Sequence, residues 1–296
     1  MNKTFKKITT VIIFIFIICC QFTSVFAIDE EKSNFQTHTA YDGIIVKNTK
    51  VLQPDFSDKI NAKSYCLIEL KTGRIITAKN ENDHLPVAST TKIMTSYLTA
   101  KSTYLDQYFT VDDNAVIVEG TSMGLKPGYQ VSLRGLLVGM LLKSGNDGAN
   151  AAAVKVGSTN ENFIKMMNDT AIKIGMKNTK FTTASGLDYG NPYSTAYDMA
   201  LLTRVAINQP EVAEICSQTS LKTMVGNPLI NVKYTGHNRI LTEYDGGIGV
   251  KTGYTIKSGK CLVSAAKRND ITLICVSLST NDDVISVHSK LLDLNN

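Results

Sequence analysis

A serine and a lysine three residues apart, Ser89 and Lys92 in PVASTTKIMT, could act as a nucleophile and its base. Residues at positions i and i+3 share one helix face, so the lysine amine can reach the serine hydroxyl. A serine is a weak nucleophile until a base takes its proton, and a lysine whose pKa is lowered by burial or by nearby cations can do this. Alone, the pair has a simpler explanation, in which Ser89 caps the helix and Lys92 is solvated.

Two further motifs bring together hydroxyl, amide and amine groups. Ser144-Gly145-Asn146 lies between the apolar segments LRGLLVGMLLKS and GANAAAVKV, and it predicts a tight turn from which a hydroxyl and an amide project. Lys-Thr-Gly occurs twice. The first copy, residues 71–73, joins the β-rich runs SYCLIEL and RIITAKN, so we expect a surface turn with Lys71 in water.

The second copy, Lys251-Thr252-Gly253, lies inside the extended run GIGVKTGYT. Gly249 and Gly253 in this run would leave room for a peptide to lie alongside it as an added strand. A lysine in a surface turn points into water, whereas a lysine on a strand can contact a peptide bound alongside that strand. We therefore predict that Lys251-Thr252-Gly253 is the copy that belongs to the site.

A third serine, Ser122, lies in a sequence pattern that resembles a catalytic motif. Gly120-Thr121-Ser122-Met123-Gly124 matches the G-x-S-x-G pattern of a nucleophile elbow, in which a helix begins at the serine. Pro127 and Gly128 follow within two turns, and a proline in a helix interior costs about 3 kcal/mol. We therefore expect a loop here and no catalytic role for Ser122.

Metal and cofactor chemistry find no support in the spacing of the candidate ligands. The histidines are scattered, at His38, His84, His237 and His288, so we predict no metal and no cofactor. Beyond the N-terminal apolar run, the cysteines are Cys66, Cys216, Cys261 and Cys275. We expect buried free thiols, with one disulfide left open because an exported chain would permit it.

The N-terminus has the pattern of a targeting segment. Three lysines precede the apolar run VIIFIFIICC, and Val25-Phe26-Ala27 offers a cleavage site, which predicts a signal peptide at 1–27 and an extracytoplasmic protein of the cell envelope. A retained anchor is the weaker alternative, because the run is shorter than the roughly 20 residues a bilayer requires. Cleavage would remove three lysines and no acid, lowering the formal charge from +5 to +2, which does not indicate a nucleic-acid partner.

The order of elements predicts an α/β (α+β) fold. A chain of 296 residues, 43% of them hydrophobic, can bury a substantial core. Strand-like runs at both ends enclose a largely helical middle, which suggests one sheet built from the two ends. We expect an irregular lead at 28–60 and a catalytic domain at 61–296. Its α/β lobe would comprise 61–88 and 230–296, with an inserted all-helical lobe at about 89–229, and its last helix would pack on the sheet.

Taken in order, the motifs S-x-x-K, S-x-N and K-T-G form the trio of penicillin-binding proteins and class A β-lactamases. The chain resembles the low-molecular-weight penicillin-binding proteins that are serine-type D-alanyl-D-alanine carboxypeptidases, peptidase family S11. The resemblance runs from LIELKTGRIITAKN through EGTSMGLKPG, SGNDGANAAA and FTTASGLD to VKTGYT and the final helix. It implies a β-lactamase/DD-peptidase-like fold, in which an antiparallel sheet is flanked by helices.

The resemblance also implies catalytic roles. Ser89 would be the nucleophile that forms an acyl-enzyme, and Lys92 its general base. Ser144 would relay a proton to the leaving group. The backbone N–H groups of Ser89 and Tyr254 would form the oxyanion hole.

Substrate binding would fall to four positions. Asn146 would hold the substrate amide, and Lys251 would place positive charge near the substrate carboxylate. Thr252 would donate a hydroxyl to that carboxylate, with Gly253 beside it. The implied partners are peptidoglycan stem peptides that end in D-Ala-D-Ala, and β-lactam antibiotics that bind covalently.

Two alternatives remain open from the sequence. A class A-like β-lactamase would need a glutamate to activate the deacylating water, and no glutamate lies between Glu161 and Glu211. A catalytically inactive module that binds cell-wall peptide would keep the motifs without their geometry. Many relatives append a β-rich domain and an amphipathic membrane helix; because this chain stops at Asn296, we expect neither of them and no stable membrane anchor.

Overall fold

The computed structural model describes residues 37–41, 44–47 and 60–295. Two short strands, β1 (Thr37–Tyr41) and β2 (Ile44–Lys47), pair antiparallel within the segment expected to be irregular. That expectation is wrong for this hairpin, whose second strand is the β-branched run IIVK, a composition that favours extended structure. The predicted signal peptide lies outside the described residues.

A five-stranded antiparallel sheet is assembled from both ends of the catalytic domain, as the sequence predicts. Its order is β4-β3-β11-β10-β9. The strands are β3 (Ala62–Glu69), β4 (Ile75–Lys79), β9 (Gly247–Thr255), β10 (Gly259–Arg268) and β11 (Ile271–Thr280). In this order β9, which carries the second Lys-Thr-Gly, is an edge strand that pairs only with β10 among the described strands.

Both faces of this sheet are covered. Leu67 pairs with Cys275 and Cys66 pairs with Val276 in the β3–β11 register, and all four side chains are fully buried. Because successive side chains point to opposite faces, the first pair belongs to the core beneath the C-terminal helix. The second pair belongs to the core shared with the helices of the inserted lobe.

The helices between the two ends begin at side-chain caps where the sequence provides them. Ser132, Thr159, Thr195 and Asp283 each accept a hydrogen bond from the backbone N–H three residues later. The helices are α1 (Lys92–Ala100), α2 (Leu133–Leu142), α3 (Asn146–Gly157), α4 (Asn160–Lys173), α5 (Ala196–Ala206), α6 (Pro210–Cys216), α7 (Ile240–Glu243) and α8 (Val284–Leu292).

The inserted lobe also contains a small sheet, so the expectation of an all-helical insert is wrong. Its four antiparallel strands, in the order β5-β6-β7-β8, are β5 (Tyr108–Thr110), β6 (Gln130–Ser132), β7 (Ser220–Gly226) and β8 (Leu229–Thr235). Two of these strands have only three residues, too few to show an alternating pattern. Because β8 pairs with β7, the insert extends beyond the expected boundary at residue 229.

The cysteines and the last helix are placed as expected. Cys66, Cys216, Cys261 and Cys275 are buried free thiols, and the disulfide left open does not form among them. Helix α8 packs on β10 and β11 through Ile285, Val287, His288, Leu291 and Leu292. Among the described helices, none combines the length and the apolar character needed to cross a membrane.

The first Lys-Thr-Gly forms the predicted turn between β3 and β4. Lys71 is exposed, and Gly73 has a φ of +72°, which a glycine adopts without strain. The Glu69 carboxylate accepts hydrogen bonds from the backbone N–H groups of Lys71 (2.7 Å) and Thr72 (2.8 Å). Beneath the turn lies the buried Arg204 of α5, which donates to the carbonyls of Leu70 (2.8 Å) and Lys71 (3.1 Å). The first copy of Lys-Thr-Gly therefore has a structural role, in which its turn attaches the β3–β4 hairpin to α5.

Candidate active site

Ser89 lies in a 3-10 turn, Ala88–Thr91, directly before α1, and is half-buried. Neither Ser89 nor the N-cap residue Thr91 caps the helix through its side chain. Lys92, the first residue of α1, is fully buried. Both parts of the simpler explanation, a capping serine and a solvated lysine, are therefore excluded.

The Lys92 amine has three polar partners. Its Nζ lies 2.9 Å from Ser89 Oγ, 2.7 Å from Asn146 Oδ1 and 2.7 Å from the Ser185 carbonyl oxygen. The last two are pure acceptors, so a neutral amine that donates its two N–H bonds to them directs its lone pair at the Ser89 hydroxyl. In its neutral form, Lys92 could therefore accept the proton of the Ser89 hydroxyl.

The electrostatics of the site favour the neutral amine. Burial lowers the pKa of Lys92 well below its ordinary value, the nearby charge of Lys251 lowers it further, and Asp147 opposes the shift. No carboxylate is among the groups hydrogen-bonded to Ser89 or Lys92 in the described part of the chain.

A second lysine and serine meet across the cleft between the lobes. Lys251 of β9 is only 2% exposed, and its Nζ donates to Ser144 Oγ (3.0 Å) and to the Thr252 carbonyl (2.8 Å). Burial lowers the pKa of Lys251 to about 7. Ser144 lies in the turn between α2 and α3, as predicted, with a φ of +61°. A proton on Lys251 or Ser144 can therefore move between the two groups.

The free edge of β9 runs beside the Ser89 turn, and Gly253 makes the approach possible. A Cβ on Gly253 would lie 3.0 Å from the Val87 carbonyl oxygen and 3.1 Å from the Ser89 nitrogen. Thr252 is half-buried and Tyr254 is exposed at the same edge. Gly249 has a different role from the one expected, because a Cβ there would meet the Cys216 sulfur at 2.9 Å. Its small size serves packing against α6.

The side-chain amide of Asn146 is held from both ends. Its Oδ1 accepts from Lys92, and its Nδ2 donates to the Glu119 carbonyl at 2.6 Å. The next residue, Asp147, is fully buried, and its carboxylate accepts from the backbone N–H groups of Met123, Gly124 and Leu125 at 2.8 to 3.0 Å. Sequence analysis missed Asp147, whose role depends on contacts with a loop more than twenty residues away.

Ser122, the serine of the misleading elbow pattern, lies in that loop. Its hydroxyl donates to Asp147 Oδ2 at 2.6 Å, and no helix begins at it. The loop that contains Ser122 therefore surrounds the Asp147 carboxylate and supplies the Glu119 carbonyl to Asn146. The expectation of a loop in place of a nucleophile elbow, based on Pro127 and Gly128, is therefore confirmed.

Residues 182–190 form a loop over the base of the site that sequence analysis did not assign. Its Ser185 carbonyl holds Lys92, and Gly186, with a φ of +85°, lies so close that a Cβ would be 2.0 Å from the Ala88 carbonyl oxygen. At its tip, Tyr189 donates its hydroxyl to Glu119 Oε2 at 2.7 Å. The one local signal for this loop is the glycine of Ser185-Gly186-Leu187-Asp188 in a polar segment, which indicates a turn.

A cavity of about 450 Å³ opens between this loop, the segment 117–119 and helices α3 and α4. It lies next to Asn146, because the Glu119 that bonds this amide also lines the cavity. A smaller cavity of about 140 Å³, beside Tyr244 and Arg268, holds none of the site residues.

Fold and site together are those of serine-type enzymes, because a buried lysine contacts Ser89 and a second serine contacts a lysine on an edge strand. The chain matches the D-alanyl-D-alanine carboxypeptidase family, peptidase S11, over residues 47–282, and it belongs to that family. The family suggested by the three motifs is therefore confirmed.

Individual relatives agree with this assignment. The chain is 32% identical over 239 residues to D-alanyl-D-alanine carboxypeptidase DacF of Bacillus subtilis, covering 78% of this chain and 61% of that protein. It is 34% identical over 238 residues to DacC of Escherichia coli, covering 76% and 58%. The chain thus spans about three fifths of the length of these relatives.

Solved structures confirm the fold class. DacD from Francisella tularensis aligns with a TM-score of 0.74 at 32% identity, covering 79% of this chain and 70% of that one. A D-alanyl-D-alanine carboxypeptidase from Mycobacterium tuberculosis aligns with a TM-score of 0.76 at 29% identity, covering 83% and 93%. A mutant of a Streptomyces DD-transpeptidase aligns with a TM-score of 0.75 at 27% identity, covering 79% and 97%.

Proposed function

We propose that this protein is an exported serine DD-carboxypeptidase that removes the terminal D-alanine from peptidoglycan pentapeptide stems. The observation that carries the proposal is the placement of Lys92, fully buried, with its Nζ 2.9 Å from Ser89 Oγ and 2.7 Å from two further acceptors, Asn146 Oδ1 and the Ser185 carbonyl oxygen. A lysine so placed is a general base for one particular hydroxyl.

Acylation begins when Ser89 Oγ attacks the carbonyl carbon of the penultimate D-alanine and its proton passes to Lys92 Nζ. The resulting oxyanion lies at the backbone N–H groups of Ser89 and Tyr254, which stabilise charge that develops only in the transition state. The C–N bond then breaks, and Ser144 passes a proton to the departing D-alanine amine. Lys251 resupplies Ser144 through their 3.0 Å contact.

Deacylation returns the enzyme to its starting state. Lys92 first passes the proton it took from Ser89 to Lys251 by way of water in the cleft, which restores the charge that Lys251 gave up to Ser144. A water molecule then attacks the ester carbon and gives a proton to the neutral Lys92, and the Ser89 oxygen leaves and recovers that proton from Lys92. The products are the shortened peptide and free D-alanine.

The substrate lies between the edge of β9 and the two lobes. Its terminal carboxylate faces Lys251 and the Thr252 hydroxyl, and its backbone pairs with the free edge of β9 near Gly253. Asn146, on the opposite side, presents its remaining amide hydrogen to the acyl half. The carboxylate thus marks the Lys251 end of the cleft as the leaving-group end.

Covalent binding of penicillin to Ser89 tests this mechanism, because the strained lactam amide resembles the D-Ala-D-Ala amide. Intact-mass spectrometry should find one adduct, absent from Ser89→Ala and retained by the matched control Ser122→Ala. Release of D-alanine from diacetyl-Lys-D-Ala-D-Ala should show the same dependence. An adduct that survives Ser89→Ala and disappears with Ser122→Ala would contradict the assignment, and absence of any adduct or D-alanine release would favour an inactive binding module.

Slow hydrolysis of the penicilloyl ester separates this function from a β-lactamase. None of the groups bonded to Ser89, Lys92, Ser144 or Lys251 in the described structure is a carboxylate that could activate water. Turnover of nitrocefin at tens per second or more, a rate typical of evolved enzymes, would reassign the protein.

Export to the cell envelope follows from the N-terminal pattern and from a substrate that lies outside the membrane. N-terminal sequencing of the secreted protein should begin at Ile28. An intact Met1 on the extracellular protein would contradict cleavage.

A further inference from the structure

The loop at residues 182–190 is bonded to the first turns of α1 at two successive carbonyls. The Ala184 carbonyl accepts a hydrogen bond from Thr95 Oγ1 at 2.6 Å, and the Ser185 carbonyl accepts one from Lys92 Nζ at 2.7 Å. Lys92 and Thr95 are three residues apart on one face of the helix, so both reach the same stretch of the loop. The hydrogen bond of Thr95 therefore lies next to the one that holds the proposed base.

The hydroxyl of Thr95 has an unusual partner for a threonine inside a helix. Such a hydroxyl commonly bonds the carbonyl three or four residues earlier in the same helix. Thr99 does so, because its Oγ1 donates to the Thr95 carbonyl at 2.7 Å. Thr95 instead donates to Ala184, which is 89 residues away in the chain. Both threonines are fully buried, so they differ in the partner they bond and not in their exposure.

The loop transmits the position of the Ala184 carbonyl to that of Ser185. Thr183 Oγ1 accepts from the Gly186 N–H at 3.0 Å and donates to the Leu187 carbonyl at 3.2 Å, which closes a small turn next to both residues. Ala184 and Ser185 are buried, so bulk water does not replace a hydrogen-bond donor that is lost here. A displacement of the Ala184 carbonyl therefore also moves the Ser185 carbonyl.

The Lys92 amine requires both of its acceptors to be in place. In the neutral amine, Asn146 Oδ1 and the Ser185 carbonyl accept the two N–H bonds, which leaves the lone pair for Ser89 Oγ. Asn146 is held independently of the loop, because its Nδ2 donates to the Glu119 carbonyl. If Ser185 were displaced, the amine could rotate and its lone pair would turn away from the serine.

We propose that Thr95 is a positioning residue for the general base of the reaction. Its hydroxyl holds the Ala184 carbonyl, which fixes the neighbouring carbonyl of Ser185. That second carbonyl in turn directs the Lys92 amine toward Ser89. Thr95 is fully buried and acts only through these groups. The assignment rests on the proposed DD-carboxypeptidase function, in which Lys92 takes the serine proton.

The test removes the hydroxyl of Thr95 and keeps its branched shape. In Thr95→Val we expect the rate constant of acylation at saturating benzylpenicillin to fall about tenfold, a part of the roughly 10² to 10⁴ that a positioned base contributes, with no change in the preceding binding of penicillin. Thr95→Ser restores the hydroxyl and should remain within about twofold of wild type. Thr99→Val is the matched control, because it deletes a buried hydroxyl that bonds only within the same helix, and it should acylate at the wild-type rate.

The pH dependence of acylation separates the positioning of the base from a general loss of stability. A carbonyl acceptor stabilises the charged amine more than the neutral one, so moving the Ser185 carbonyl away should shift the acid limb of the Thr95→Val profile to lower pH. The charged groups that face the Lys92 amine, Lys251 on β9 and Asp147 on α3, are the same in both proteins. A loss of folded protein alone would lower the amount of adduct and leave the acid limb in place.

The outcomes that overturn the inference differ from those that overturn the function. If Thr95→Val does not fold, Thr95→Ala leaves room for a water molecule at the carbonyl and carries the test, with an expected loss of at least about threefold. A wild-type rate or an unmoved acid limb in the folded variant without the hydroxyl, an equal loss in Thr99→Val, or no recovery in Thr95→Ser would each reject the role of Thr95 while leaving the carboxypeptidase intact. No penicillin adduct and no D-alanine release with the wild type would reject the proposed function, and the positioning role with it.

Discussion

Lys71 and Lys251 begin identical tripeptides in opposite surroundings. Lys71 is exposed in a hairpin turn, whereas Lys251 is 2% exposed and donates to Ser144. The chemistry of a lysine is determined by its burial and its partners, so the same three letters yield a turn in one place and a site in the other.

Substituting each lysine by alanine tests this contrast. Lys71→Ala should change the free energy of unfolding by less than about 0.5 kcal/mol and leave the peptidase rate near wild type. Lys251→Ala removes positive charge from a partly desolvated site, and we expect kcat/KM for D-alanine release to fall by about 10² to 10³. Part of this loss should appear in KM, because the carboxylate is present before and during the reaction. Equal losses in the two variants would show that the copies are wrongly assigned.

The two lysines of the site predict a bell-shaped pH profile. Lys92 must be neutral to act as a base, so kcat/KM should fall as the pH decreases through its lowered pKa. Lys251 must be charged to attract the substrate carboxylate, and its pKa of about 7 places the loss of that charge above neutrality. Measurement of D-alanine release from about pH 5 to about pH 10 checks both limbs. A flat kcat/KM between about pH 7 and about pH 9 would show that the charge on Lys251 is not required.

At the scale of elements, the loop 182–190 is the part of the site that positions the rest. Its Ser185 carbonyl accepts a hydrogen bond from the Lys92 amine, and Gly186 packs on the carbonyl of Ala88, next to Ser89. Any displacement of this loop therefore moves the base and the serine turn together.

Gly186→Ala tests that positioning against Gly128→Ala. Both glycines have a φ near +80°, so each alanine incurs about 1 to 2 kcal/mol of backbone strain. A Cβ at Gly128 meets nothing within 4 Å, whereas one at Gly186 would be 2.0 Å from a carbonyl oxygen. We expect Gly186→Ala to cost about 3 kcal/mol or more and to reduce the rate of penicillin acylation about 10²-fold, since small misplacements of reacting groups have large effects.

Urea unfolding and acylation kinetics on the two variants provide the comparison. Gly128→Ala should show the smaller destabilisation and a wild-type acylation rate. If both variants acylated at the wild-type rate, contact between Gly186 and the serine turn would have no catalytic consequence.

Elements with a local signal could be predicted from the sequence, and elements that depend on distant contacts could not. The capped helices, the edge strand with Lys251 and the Ser144 turn all follow from nearby patterning. The three-residue strand β6 pairs with β5 and also with β7, where Val131 meets Val225 from a distant part of the chain, a contact that no local pattern indicates. The contact of the Ser185 carbonyl with Lys92 could not be predicted either, because every residue type has a backbone carbonyl.

At the scale of the whole molecule, the central sheet has a hydrophobic core on each face, and the candidate site lies on only one of them. The inserted lobe and the site lie on one face, and α8 covers the other. His288 of α8 is fully buried there, with Nδ1 2.5 Å from Ser264 Oγ and Nε2 2.8 Å from Ser277 Oγ. This histidine joins the C-terminal helix to β10 and β11 on the face of the sheet opposite Ser89.

Burial lowers the pKa of His288 to about 3, which makes the stability of the fold depend on pH. In the unfolded chain a histidine titrates near pH 6.5, so between about pH 6.5 and about pH 3 the unfolded state binds a proton that the folded state does not. The stabilisation is therefore complete above about pH 6.5 and is lost progressively as the pH falls. From about pH 6.5 to about pH 5, before most carboxylates titrate, we expect a loss of up to about 2 kcal/mol.

Urea unfolding of His288→Gln over that pH interval tests the assignment. Glutamine can still bond both serines but does not titrate, so the variant should be less stable than wild type at neutral pH and should lose less stability on acidification. His84→Gln, at an exposed histidine, is the matched control for exchanging a histidine for a glutamine. Because His288 lies behind the sheet, penicillin acylation at neutral pH should be unaffected in the folded variant. A wild-type pH dependence in His288→Gln would place the acid sensitivity elsewhere in the molecule.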